Sequence, residues 1–264
     1  MNREKRYKGI THGEMREFLE EKYLQYNTPE FIENDPVSIP HMFSGKHDRE
    51  VSGFLTATIA WGRRDLILRS AHRLMELMGN SPYEFIINAS ENDLKRFSRF
   101  VHRTFNGDDC ICFLRSLMNI YRKYDSMEDI IVEGMRQDDS LVTGIASLRR
   151  EFFSIPHSCH AEKHFADILR GAAGKRLFMF LRWMVRDDGR GVDFGIWKQI
   201  RPSQLYIPLD FHTGNTARKL GLLRRKQNDF TAVRELTSVL RTFDPDDPVK
   251  YDFALFGLGI NERF

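Results

Sequence analysis

Two side chains stand where chemistry could be done. Lys175 follows a glycine at the start of a predicted helix, and Asp210 sits in Ile207-Pro-Leu-Asp-Phe-His-Thr-Gly-Asn-Thr-Ala-Arg-Lys-Leu-Gly-Leu222, at the mouth of another. A lysine attacks the anomeric carbon of a sugar only as the neutral amine, a form favoured by burial and by the positive end of a helix dipole. Displacing a base from that carbon leaves positive charge on the sugar ring. A nearby carboxylate stabilises that charge or takes up the amine proton, the role open to Asp210. The base must first leave its stack, so the site also needs apolar and aromatic walls. Trp61, Phe178, Trp183, Phe211 and His212 form the candidate base pocket. Each has a plainer reading: Asp210 as a helix cap, Lys175 as an exposed helix lysine, His212 as a hydrogen-bonding residue, the tryptophans as core.

The charge distribution decides which partner fits. The net charge is +3, but residues 163–226 hold fourteen Lys and Arg against five Asp and Glu, while residues 1–162 and 227–264 each sum to −3. Such a block, folded onto one face, supplies the phosphate contacts that dominate nucleic-acid affinity. Arg176, Arg182, Arg218, Lys219, Arg224 and Arg225 are the expected contacts and DNA the expected partner. The plainer alternative is a solvated helix pair with surplus basic side chains.

The elements that must position these groups read as helices almost throughout. Val51, Phe54, Leu55 and Ile59, then Leu66, Ile67, Leu74, Leu77 and Met78, recur at three- and four-residue steps, and Asn80-Ser-Pro breaks the pattern. The spacing predicts further helices near 91–100, 109–124 and 126–136, one over 174–186 ended by Asp187-Asp-Gly-Arg-Gly, and one marked by Ala232, Leu236, Val239 and Phe243. Asp247 before Pro248 predicts a capped start for a last helix through about residue 258, which Asp246, Asp247 and Asp252 would cap and decorate. The expected fold class is all-α, a two-lobed helical fold. Its lobes would cover about 1–160 and 161–264, with the chain ends sharing one, and residues 138–140 and 157–164 would bracket a connector.

Gly171-Ala-Ala-Gly-Lys-Arg-Leu-Phe-Met-Phe-Leu, followed by Pro208-Leu-Asp-Phe-His-Thr-Gly-Asn-Thr-Ala-Arg-Lys-Leu-Gly, resembles the helix-hairpin-helix/Gly-Pro-Asp superfamily of DNA glycosylases. There a glycine-rich hairpin introduces the helix of the catalytic lysine, and an Asp-x-His segment bears the catalytic aspartate. The resemblance places Lys175 and Asp210 in those positions, with His212 two residues on. Residues 48–62 are similar to the superfamily's early helix pair. The 35-residue spacing of lysine and aspartate is wider than in compact members, because residues 185–203 insert a loop, and is more like that of archaeal 8-oxoguanine glycosylases. The hairpin lacks the usual Gly-hydrophobic-Gly turn, and no C-terminal four-cysteine cluster follows. Taken whole, the chain also resembles a bacterial domain family of unknown function.

The resemblance implies a base-excision glycosylase and AP lyase, with 8-oxoguanine the first substrate to try. The alternatives are a noncatalytic nucleic-acid-binding protein on the same fold and a helical domain acting through protein contacts. No cofactor and no metal is expected. His157-Ser-Cys-His160 with His164 offers zinc-compatible spacing, but four ligands from eight residues make an awkward tetrahedron. Cys110, Cys112 and Cys159 are an odd set without paired spacing and read as buried thiols in a reducing compartment. The charged opening stretch is followed by no apolar run, and no stretch approaches the length of a membrane span. A cytoplasmic protein without membrane partners is expected; the sequence carries no signal for oligomeric state.

Overall fold

The computed structural model describes residues 10–262; the charged opening stretch of residues 1–9 lies outside them. Among the described residues the chain forms α-helices and short 3-10 turns, with one isolated bridge between His102 and Phe105 and no strand. The fold is all-α. Among the described residues no helix is long and apolar enough to cross a membrane.

By its own contacts the chain divides into two units, residues 32–169 and residues 10–31 with 170–262. In the first, Lys46–Ile59 runs into the core, and every residue from Glu50 to Ile59 is buried. Glu50 is tolerated there because it accepts hydrogen bonds from Tyr121 Oη (2.9 Å), Ser126 Oγ (2.8 Å) and the Met127 N–H (2.6 Å). The stretch expected as a connector contains the helix Leu141–Phe152, packed on Met127–Met135. Glycine makes that contact possible: a Cβ on Gly144 would stand 2.6 Å from the Ile131 carbonyl oxygen, and one on Gly134 2.5 Å from Ser147 Oγ.

The other unit is built around the last helix, Tyr251–Asn261, which packs against His12–Tyr26 and Phe211–Lys219. Two glycines permit both contacts. A Cβ on Gly257 would lie 2.2 Å from the Tyr26 ring, and one on Gly259 3.0 Å from Thr216 Oγ1. Asp247 does not cap this helix as expected. Pro248–Lys250 is a 3-10 turn ahead of it, and the Asp247 side chain makes no cap bond. Of the three cysteines, Cys110 and Cys112 are buried as expected, whereas Cys159 is exposed.

Candidate active site

Lys175 is the first residue of the helix Lys175–Val185. Its predecessor Gly174 adopts φ 63°, left-handed geometry that glycine enters without Cβ strain and that turns the chain sharply into the helix. Beyond the first turn, every residue from Leu177 to Val185 is buried, so this helix has no solvent face there. Its last carbonyls are satisfied by the inserted loop. The Phe194 N–H donates to Trp183 O (2.8 Å) and the Trp197 N–H to Met184 O (2.9 Å). The longer spacing between Lys175 and Asp210 thus finishes the lysine's own helix.

The Lys175 ammonium is half-buried. Among the described residues its hydrogen-bond partner is the Met179 thioether, 3.3 Å away, a weak acceptor. Asp210 caps Phe211–Lys219: Oδ1 accepts the Thr213 N–H at 2.8 Å, and its main-chain carbonyl accepts from Asn228 Nδ2 at 3.0 Å. One carboxylate oxygen therefore serves the helix, and the other makes no hydrogen bond among the described residues. In the helix that Asp210 caps, the buried Thr213 and Thr216 hydroxyls also have no hydrogen-bond partner among the described residues.

Asp252 lies within electrostatic reach of both groups. It is fully buried in the last helix and raised to about 6 by burial. Arg182 and Lys175 pull it down, while Asp210 and Asp193 push it further up. The Asp252 carboxyl thus feels both the Lys175 ammonium and the Asp210 carboxylate, two groups 35 residues apart. Sequence reasoning placed Asp252 on the helix surface and missed it.

Arg182 is 3% exposed. Its Nη1 pairs with Asp252 and its Nε with Asp193 Oδ1 at 3.2 Å. One turn on, Arg186 binds Asp193 Oδ2 (2.6 Å), Asp188 Oδ2 (2.9 Å) and Asp247 Oδ2 (2.9 Å). Burial opposes the Arg186 charge, but the carboxylates of Asp193, Asp247 and Asp188 outweigh it and hold its pKa above that of an ordinary arginine. Asp188 falls to about 2: burial opposes its charge, and Arg186 with the hydrogen bonds from the Arg190 N–H, Tyr23 and Asn27 overcomes it.

The remaining expected residues separate clearly. Arg182 is a correction: a guanidinium enclosed by two carboxylates has no face left for a phosphate. Trp183 (0% exposed) and Phe178 (1%) are core residues and cannot wall a pocket for an extruded base. Trp61 belongs to the 32–169 unit, where it stacks on His164. Phe211, 70% exposed, and His212, also exposed, stand beside Asp210. Lys219 and Arg224 are exposed. Arg218 is engaged by Arg225 O (2.7 Å) and Asn228 Oδ1 (2.6 Å), and Arg225 pairs with Asp229. Arg176 is half-buried, and burial lowers it to about 10, which leaves it cationic at neutral pH.

The model of one protein family, described as a protein of unknown function (DUF2400), matches residues 35–261. No curated protein and no solved structure matches the chain.

Proposed function

The chain belongs to the DUF2400 family, and from that premise we propose that it is a DNA base-excision glycosylase with AP lyase activity, acting through Lys175 and Asp210. The observation that supports the reading is that the charges of both groups reach the buried Asp252 carboxyl, Lys175 favouring its ionisation and Asp210 opposing it. The likeness of residues 171–181 and 208–221 to helix-hairpin-helix glycosylases supports it. So does a lysine whose ammonium has, among the described residues, no carboxylate within salt-bridge distance, since an amine locked in an ion pair is a poor nucleophile.

In this mechanism the Nζ lone pair of Lys175 attacks C1′ and the base departs with the glycosidic electron pair, while Asp210 stabilises the charge on the sugar and accepts the amine proton. The nitrogen lone pair then opens the ring as the C1′–O4′ bond breaks and O4′ takes up a proton, giving an imine between Nζ and C1′; transfer of a C2′ proton to the released base or to water breaks the C3′–O bond and expels the 3′-phosphate by β-elimination. The exposed Phe211 and His212, beside Asp210, are candidates for contact with an extruded base. Lys219 and Arg224 are the exposed candidates for phosphate contact.

Borohydride reduces such an imine to a stable amine, so trapping on duplexes carrying 8-oxoguanine, uracil or an abasic site tests the reading. A covalent adduct is expected, absent in Lys175→Ala. Asp210→Asn keeps an N-capping side chain, and is expected to fold normally while slowing base release by about 10²–10⁴-fold, the range for a positioned acid or base. An adduct undiminished in Lys175→Ala would overturn the assignment. No adduct on any duplex, with DNA binding intact, would favour the noncatalytic nucleic-acid-binding alternative.

A further inference from the structure

Residues 32–169 hold a separate cluster of ligating side chains. Asp109 sits in the first turn of Gly107–Tyr121, buried, and Oδ2 is fixed by the Asn106 N–H at 3.0 Å. The short helix Cys159–Glu162 carries His160, and His164 follows four residues later. That turn brings both imidazoles to one carboxylate: His160 Nδ1 is 2.7 Å from Oδ1, and His164 Nε2 is 3.4 Å from Oδ2. One ligand atom from each of the three residues lies within 4.8 Å of the other two.

Two imidazoles and a carboxylate suit a borderline divalent ion, and zinc takes three such ligands with a fourth position left to water. The distances bear on this choice. Ligands held about 2.0–2.1 Å from a tetrahedral zinc stand about 3.3 Å from one another. The His164–Asp109 separation of 3.4 Å already matches that edge and is long for a charge-assisted hydrogen bond. The shorter His160 contact, made to the other Asp109 oxygen, would open by about 0.6 Å to reach such a ligand–ligand spacing. The His160 side chain is 42% exposed, so the ring has room to withdraw. The His164 ring is held in place, stacked on Trp61 (centroids 5.6 Å, interplanar angle 28°) and edge-on to Phe105 at 5.0 Å. Lys163, whose Nζ lies 2.5 Å from His160 Nε2, is on an exposed side chain that can swing away.

We propose that Asp109, His160 and His164 bind one divalent transition-metal ion, zinc fitting best, with an open coordination position on the solvent side beside His160. The ligand set is not the one the local spacing suggested. His157 turns to Ile155 O (2.7 Å) and Glu162 Oε1 (3.4 Å), and the carboxylate comes from a helix some fifty residues earlier.

The experiment uses the untagged full chain, treated with chelator and dialysed, then titrated with Zn²⁺ by calorimetry and with Co²⁺ followed by its visible ligand-field bands. One equivalent of each ion is expected to bind, with a tetrahedral or five-coordinate cobalt spectrum and quenching of Trp61 fluorescence by Co²⁺, assigned by difference from Trp61→Phe. His160→Ala, at an exposed position, is expected to weaken binding by at least about 100-fold, above the 10–100-fold typical for loss of an outer hydrogen-bond partner. Asp109→Asn is expected to do the same, and His157→Ala to leave binding unchanged. Circular dichroism confirms that each variant is folded. Failure of the folded wild-type chain to bind either ion at micromolar concentration would overturn the proposal. So would binding that survives both His160→Ala and Asp109→Asn.

Discussion

Asp252→Asn should make the protein more stable at alkaline pH, although it removes one half of a buried ion pair. The carboxyl is raised from 3.8 to about 6, burial being the largest cause. A carboxyl whose pKa is higher folded than unfolded favours folding in its protonated form. Its contribution is therefore fully present below about pH 4 and is lost as pH rises through about 6. At about 1.36 kcal/mol per pKa unit, the loss reaches about 3 kcal/mol at pH 8 and about half of that at pH 5. Asparagine copies the shape of the neutral acid and escapes the penalty. Arg182 is not stranded by the change, because its Nε keeps Asp193 at 3.2 Å. Urea unfolding of wild type and variant at pH 8 and pH 5, with equal m-values, measures both gaps. A variant no more stable than wild type at pH 8, or a gap that is the same at both pH values, would refute the reasoning.

Two further substitutions probe the frame that holds the site. Arg186→Met leaves Asp188, Asp193 and Asp247 without their shared cation. It should cost about 3–5 kcal/mol, seen as a large drop in denaturation midpoint; a midpoint within a degree or two of wild type would show that the network contributes nothing. Gly257→Ala drives a methyl to 2.2 Å from the Tyr26 ring. It should cost about 1–3 kcal/mol by overpacking, with Tyr26→Ala relieving the strain in a double-mutant cycle, and additive effects would mean that the two residues do not meet.

The helices were legible because their signals are local. Apolar residues at three and four steps marked the helices Lys46–Ile59, Arg64–Leu77 and Phe230–Phe243, and the helix expected over 174–186 spans Lys175–Val185. Gly174 marked the entry to the lysine's helix, and Asp210 is the N-cap that its position announced. The Asp247-Pro248 start signal misled because a long-range partner outbid the local one: Arg186 takes the Asp247 carboxylate, and the backbone forms a 3-10 turn instead. Asp252 could have been found. It is the lone acid among Phe253, Ala254, Leu255 and Leu258, as Arg182 is the lone base among Phe180, Leu181, Trp183 and Met184. A solitary charge in a helix with no polar face must be buried, and two of opposite sign predict each other as partners. Asp193 carried no such mark, since it lies in an irregular loop. Asp109, His160 and His164 were equally illegible as a set, because the first is brought to the others by tertiary packing alone.

Burial also changes the meaning of the charge pattern. Counted along the chain, residues 163–226 are strongly basic and residues 227–264 acidic. In the structure the two segments partly neutralise each other internally: Arg182 takes Asp252, Arg186 takes Asp247, and Arg225 takes Asp229, three carboxylates from the acidic segment. Arg218 is spent on holding the turn after its own helix. Much of the cationic surplus is thus structural, and it fixes the very helix whose first residue is Lys175. Of the six expected phosphate contacts, Lys219 and Arg224 stand exposed at the surface. A basic block in a sequence counts charges, whereas DNA affinity depends on the ones left outside.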